Sequence, residues 1–66
     1  MIKKNDVLSP KEASFFNFGV VSVFLHPNQK WRVTYIKNNV IYIKNKNVNF
    51  ELEEKELFND FKKWGD

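Results

Sequence analysis

Between Trp31 and Ile43 the chain reads Trp-Arg-Val-Thr-Tyr-Ile-Lys-Asn-Asn-Val-Ile-Tyr-Ile, two runs of β-branched and aromatic residues on either side of a polar break. Such residues fit a pleated, half-buried surface, and asparagine tolerates the positive φ of a tight loop. The stretch therefore specifies a β-hairpin, and the remaining segments have to pack around it. With Lys37, Asn38 and Asn39 as a three-residue loop, Ile36 faces Val40, Thr34 faces Tyr42 and Arg32 faces Lys44 on a mixed face. Val33 and Tyr35 then pair with Ile43 and Ile41 on an apolar face. A two-residue Asn38-Asn39 loop would set Val33 against Lys44 and Arg32 against Asn45, scattering charge over both faces, so the three-residue loop is expected.

The flanking segments give weaker signals. Residues 1–5 are polar and expected to be loose, and residues 6–9 can form a short first strand. Ser9-Pro10-Lys11-Glu12 has the form of a capping box, with Ser9 as N-cap, Pro10 at the first helical position and Glu12 reaching back. It predicts a helical turn that Gly19 ends. Residues 19–25 are apolar at nearly every position and contain three valines, which predicts a strand covered on both sides. His26, Pro27, Asn28, Gln29 and Lys30 form a turn, and residues 48–52 alternate as a last strand. From Glu53 the period changes: Leu57, Phe61 and Trp64 fall at i, i+4 and i+7, which predicts an amphipathic helix over 53–64. Glu53, Glu54 and Glu56 would sit in its first turn, Lys62 and Lys63 in its last, and Gly65 would stop it. The expected core is Val7, Val21, Val23, Leu25, Val33, Tyr35, Ile41, Ile43, Phe50, Leu57 and Phe61.

At 66 residues the chain is expected to form a single domain, 1–66, close to the size at which one hydrophobic core suffices. Two Trp, two Tyr and seven Phe compensate, because each ring buries much area at little rotamer cost. A homodimer would add buried area and is compatible with the sequence. There is no cysteine, hence no disulfide framework and no thiolate metal site, which fits a reducing cytoplasm. No apolar run has signal-peptide or membrane-span length, so a cytoplasmic protein without membrane partners is expected. The net charge of +3 is a modest bias toward anionic partners. The abundance of Lys, Asn, Ile and Phe is what AT-rich codons give, and hints at a low-GC bacterium or one of its phages or plasmids.

Nothing in the chain assembles an active site, so the protein is expected not to be an enzyme and to need no cofactor or metal. Its one histidine, His26, sits in a turn with no metal-spaced or nucleophilic companion. Glu51, Glu53, Glu54 and Glu56 lie where a helix start favours negative charge. The two glycines, Gly19 and Gly65, make no phosphate-cradling loop. Binding is better supported. Arg32 and Lys44 surround Tyr42 on the mixed hairpin face, and Lys30, Lys37 and Lys46 lie in the adjoining turns. A basic rim around an aromatic ring suits a DNA or RNA backbone with a stacked base, although surface lysines on a sheet also serve to prevent edge pairing. A second candidate surface is Phe15, Phe16 and Phe18, which either plug the end of the core or, where exposed, anchor a host protein.

Asn5-Asp6-Val7-Leu8, a polar-Asp-x-hydrophobic first strand, and Gly19-Val20-Val21 after a long loop resemble the SH3-like small barrels, in particular their nucleic-acid- and ribosome-associated KOW-type branch. The resemblance covers residues 5–52 and implies a five-stranded barrel; the family's additional loop glycines, found where its loops contact RNA, are missing. A winged helix is the rival architecture, but its recognition helix would be residues 20–25, which hold no Arg, Lys, Asn or Gln to read base edges. The fold expected is α+β, a small antiparallel SH3-like barrel or strongly bent sheet (5–52) with a C-terminal amphipathic helix (53–64). The function expected is non-catalytic nucleic-acid binding through the basic hairpin face, the alternative being a protein-binding accessory factor or inhibitor encoded by a phage or mobile element.

Overall fold

The structure, a computed structural model, describes residues 2–18 and 20–65; the side chains of Phe18 and Val21 also fall outside the description. The chain runs β1 (Val7–Pro10), β2 (Ser14–Phe18), β3 (Val21–Leu25), β4 (Trp31–Lys37), β5 (Val40–Asn45), β6 (Val48–Glu53), α1 (Glu54–Asp60) and β7 (Phe61–Lys63). Five strands form one antiparallel sheet in the order β6-β5-β4-β1-β7, and β2 and β3 form a separate two-stranded sheet. The expected barrel is not found: hydrogen bonding stops at β6 and β7, which are the outer strands of an open sheet. Nor is the fold α+β in the sense expected, because antiparallel strand dominates and, among the described residues, the one helix has seven residues.

The core lies on one face of the large sheet, and alternation along the strands explains its membership. Leu8 pairs with Trp31, Val33 with Ile43 and Ile43 in turn with Phe50, and Ile36 with Ile41 and Ile41 in turn with Leu52. All are buried except Ile36, which is half-buried against the rest. Trp31 is at the centre, stacked on Phe50 at 5.1 Å and met edge-on by Phe61 at 5.9 Å. Its indole N–H donates to Gln29 Oε1 at 3.0 Å, and the Gln29 amide donates to the Phe24 carbonyl at 3.1 Å. A buried polar edge is thereby satisfied and the β3–β4 turn is tied to the core. Leu25 from β3 and Leu57 from α1 complete this layer, and Phe16 packs on Phe50 at 5.1 Å.

The hairpin register departs from expectation in one instructive way. Lys37 pairs with Val40, so the loop is the two residues Asn38 and Asn39, with Asn38 at φ 57°. Tyr35 then pairs with Tyr42 and Ile36 with Ile41. A bulge between Val33 and Tyr35 absorbs Thr34, so that beyond it Val33 pairs with Ile43 and Arg32 with Lys44 as expected. The extra residue reverses the in-out alternation: Ile36 turns inward, and Tyr35, expected in the core, turns outward and is 52% exposed. The charge scattering that argued against a two-residue loop is thus avoided by the bulge.

Further expectations are corrected. Ser9 and Pro10 do not cap a helix; they end β1, where Leu8 and Pro10 alternate into the core and Ser9 pairs with Lys62. Proline is tolerated there because a strand end need not supply every ladder donor. The segment expected to be a helical turn is β2, which makes five antiparallel pairs with β3, three of them through its phenylalanines. This also removes the winged-helix alternative, since residues 21–25 form a strand. The helix expected over 53–64 ends at Asp60, and Phe61 to Lys63 instead pair with Pro10, Ser9 and Leu8. An i, i+4 spacing marks Leu57 and Phe61 as buried without deciding which backbone carries them, and the otherwise unpaired edge of β1 gains a partner. Residues near the start are also tied down: Ile2 is buried, Asn5 N–H donates to the Val33 carbonyl at 2.8 Å, and Lys3 N–H donates to the Asp6 carboxylate at 2.9 Å. Leu8, Trp31 and Leu52 join the core, Val7 is only half-buried, and the expected core position Val21 lies outside the described residues, as does Gly19. Among the described residues no helix is long and apolar enough to cross a membrane.

Candidate nucleic-acid interface

The outward-facing residues of the large sheet fall into rows. Val7, Arg32, Lys44 and Asn49 make one row across β1, β4, β5 and β6; Tyr35, Tyr42 and Glu51 make the next. Lys37, Val40 and Glu53 make the third, at the hairpin tip. The charge along this face is therefore graded, basic beside the β3–β4 and β5–β6 turns and acidic toward α1. At the basic end lies a depression of about 490 Å³ lined by Val7, Lys30, Arg32, Thr34, Lys44, Asn45 and Lys46. No carboxylate lines it among the described residues.

Each cation reaches this depression for a local reason. Arg32 and Lys44 are cross-strand partners, which brings two like charges side by side on an exposed surface. Such a pair is destabilising by itself. Lys46 is the first residue of the β5–β6 turn and has φ 54°, a conformation that pays no energetic dividend for a lysine. Lys30 ends the β3–β4 turn; Asn45 Nδ2 donates to its carbonyl at 2.9 Å, and its ammonium lies 4.9 Å from the centroid of the Trp64 ring. The Trp64 amide in turn donates to the carbonyl of Val7 at 2.9 Å, which sets that ring at the rim. Trp64 is 44% exposed.

Of the six residues expected to bind nucleic acid, the structure brings Lys30, Arg32, Lys44 and Lys46 together. Lys37 is at the hairpin tip, five residues from Arg32 along β4, roughly 17 Å away. Tyr42 lies outside the depression beside Glu51, whose negative charge, together with burial and a hydrogen bond, raises its pKa above the usual tyrosine value. Two aromatic residues next to the basic end, Tyr35 and Trp64, were not expected there. A signal for Trp64 existed in its place after Lys62 and Lys63; for Tyr35 there was none, because its exposure follows from the bulge.

The phenylalanine cluster is divided by the alternation of β2. Phe15 and Phe24 are cross-strand partners facing away from the core, 72% and 46% exposed, with ring centroids 5.3 Å apart. Phe16 faces inward onto Phe50. The Phe18 side chain lies outside the described residues. His26 packs beside Phe24 at 6.0 Å, and its Nδ1 lies 2.8 Å from Asn28 Oδ1, an arrangement internal to the turn. Among the described residues no group of three His, Cys, Asp or Glu side chains is placed to hold a metal ion. Comparison with family models, with curated proteins and with solved structures yields no match.

Proposed function

We propose that the protein is a non-catalytic binding module for nucleic acid and that the basic end of the large sheet is its contact surface. The observation that carries this reading is the convergence of Lys30, Arg32, Lys44 and Lys46 on one depression free of carboxylates among the described residues. Like charges held together on a surface disfavour the free protein and favour a polyanion, because each phosphate contacted releases condensed counterions. Val7 and Thr34 give the floor of the depression apolar area for a sugar or base. Binding of random-sequence oligonucleotides at two salt concentrations tests the proposal. Salt-sensitive binding supports it, and affinity weaker than about 10⁻⁴ M at physiological salt, the weak end of non-specific binding, overturns it.

A second reading rests on a different observation, the exposed Phe15 and Phe24 pair on the outer face of the small sheet. Two adjacent exposed rings are an anchor for a protein partner, consistent with an accessory factor or inhibitor acting on a host protein, or with self-association into a homodimer. Substituting Phe15 by serine separates the two readings, because it removes the anchor and leaves the basic depression unchanged.

A further inference from the structure

Resting on the nucleic-acid reading above, we infer that the ligand is single-stranded, with its backbone in the basic depression and bases stacked on Tyr35 on one side and Trp64 on the other. The depression is concave and lies on a sheet face, whereas readers of duplex DNA present a protruding helix or ribbon to a groove. Among the described residues the one helix is short and packs Leu57 into the core, and β4 and β5 are flanked by β1 and β6 within the sheet, so neither offers such an element. A flexible single strand can follow a concave surface and turn its bases outward from the backbone.

Aromatic rings flank the depression on two sides. Tyr42 and Lys44 are two residues apart on β5, so the row of Tyr35 and Tyr42 lies about 7 Å from the row of Arg32 and Lys44, a distance that one nucleotide spans. Tyr35 is exposed because the Thr34 bulge turns it out of the core, and a bulge that re-aims a side chain in this way is typical of a binding surface. On the other side, Trp64 is held by its backbone bond to Val7, which itself lines the depression. The Lys30 ammonium lies over one face of this ring, 4.9 Å from its centroid, which ties the ring to the basic patch; a base would stack on the other face. The Glu51 carboxylate beside Tyr42 disfavours a phosphate at that ring, so Tyr35 is the stacking partner there and the backbone stays at the basic end.

The test uses the full chain with fluorescein-labelled oligothymidine DNA and oligouridine RNA of about ten nucleotides, and a duplex of the same length. Expected is binding to one or both single strands tighter than to the duplex. Tyr35→Ala and Trp64→Ala should each weaken single-strand binding about tenfold or more, while Tyr35→Phe and Trp64→Phe, which keep the ring, stay close to the parent. Circular-dichroism melts confirm that each variant is folded before it is compared. If Arg32→Ala weakens binding but the alanine variants at Tyr35 and Trp64 do not, or if duplex binds as well as single strand, the stacking inference is overturned while the basic surface stands. If no probe binds the parent, both fall.

Discussion

The rings of Tyr35 and Tyr42 lie 5.5 Å apart, centroid to centroid, as cross-strand partners on the outer face of the sheet. This pairing exists because Thr34 is looped out of the ladder. Without the bulge, a two-residue loop would continue in strict alternation and set Val33 opposite Lys44.

Deleting Thr34 should therefore leave the fold intact. Val33 would adjoin Tyr35 directly, and the in-out alternation from Trp31 to Lys37 would become regular with every observed pair kept. The loss should be about 1 kcal/mol, for the hydrogen bond from Thr34 Oγ1 to the Tyr42 carbonyl. Deleting Ile36 instead should unfold the domain, since it reverses the faces on one side of the deletion. Thermal melts of the two deletions check this, and equal losses would show that the bulge does not set the register.

Phe61→Ala should cost about 3 to 5 kcal/mol, comparable to the whole stability of a domain this small. Phe61 is fully buried and meets Trp31 edge-on. Urea denaturation measures the loss; a variant as stable as the parent would mean that β7 is not docked.

The central hairpin and much of the buried set are legible in the residues, whereas the open sheet and the strands β2 and β7 are not, and the misses share a cause. Val33, Ile41, Ile43 and Phe50 announced themselves by alternation, and Leu57 and Phe61 by spacing. Periodicity names the buried face but not the backbone that brings it there, so the spacing predicts a helix at Phe61, which lies in a strand. Ser9 to Glu12 carries a genuine local helix signal, which pairing of β1 with β7 overrides. The bulge leaves no mark in composition, so strict alternation predicts Tyr35 inside, whereas it is exposed. The four cations of the depression were legible as turn and hairpin residues; that Lys37 and Tyr42 stand apart from them depends on three-dimensional distance and on Glu51.

Tyr42 should ionise above the usual tyrosine range, and Glu51→Gln should bring it down, because the neighbouring carboxylate opposes phenolate formation. The native state then holds a proton that the unfolded chain releases at the ordinary tyrosine pKa, so this contribution to stability is complete below that pKa and is lost as pH rises through the higher native value. Ultraviolet titration of the parent and of Glu51→Gln measures the shift; identical curves would contradict the placement of Glu51 beside the hydroxyl.

The central claim is that Lys30, Arg32, Lys44 and Lys46 form a phosphate-binding surface, and the salt dependence of oligothymidine binding tests it most directly. In the Arg32→Ala, Lys44→Ala double variant, the slope of log affinity against log salt should flatten by about 1.4 units relative to the parent, the value for two lost single-strand phosphate contacts. A parent that binds with a steep slope left unchanged in the double variant would place the interface elsewhere and contradict the account.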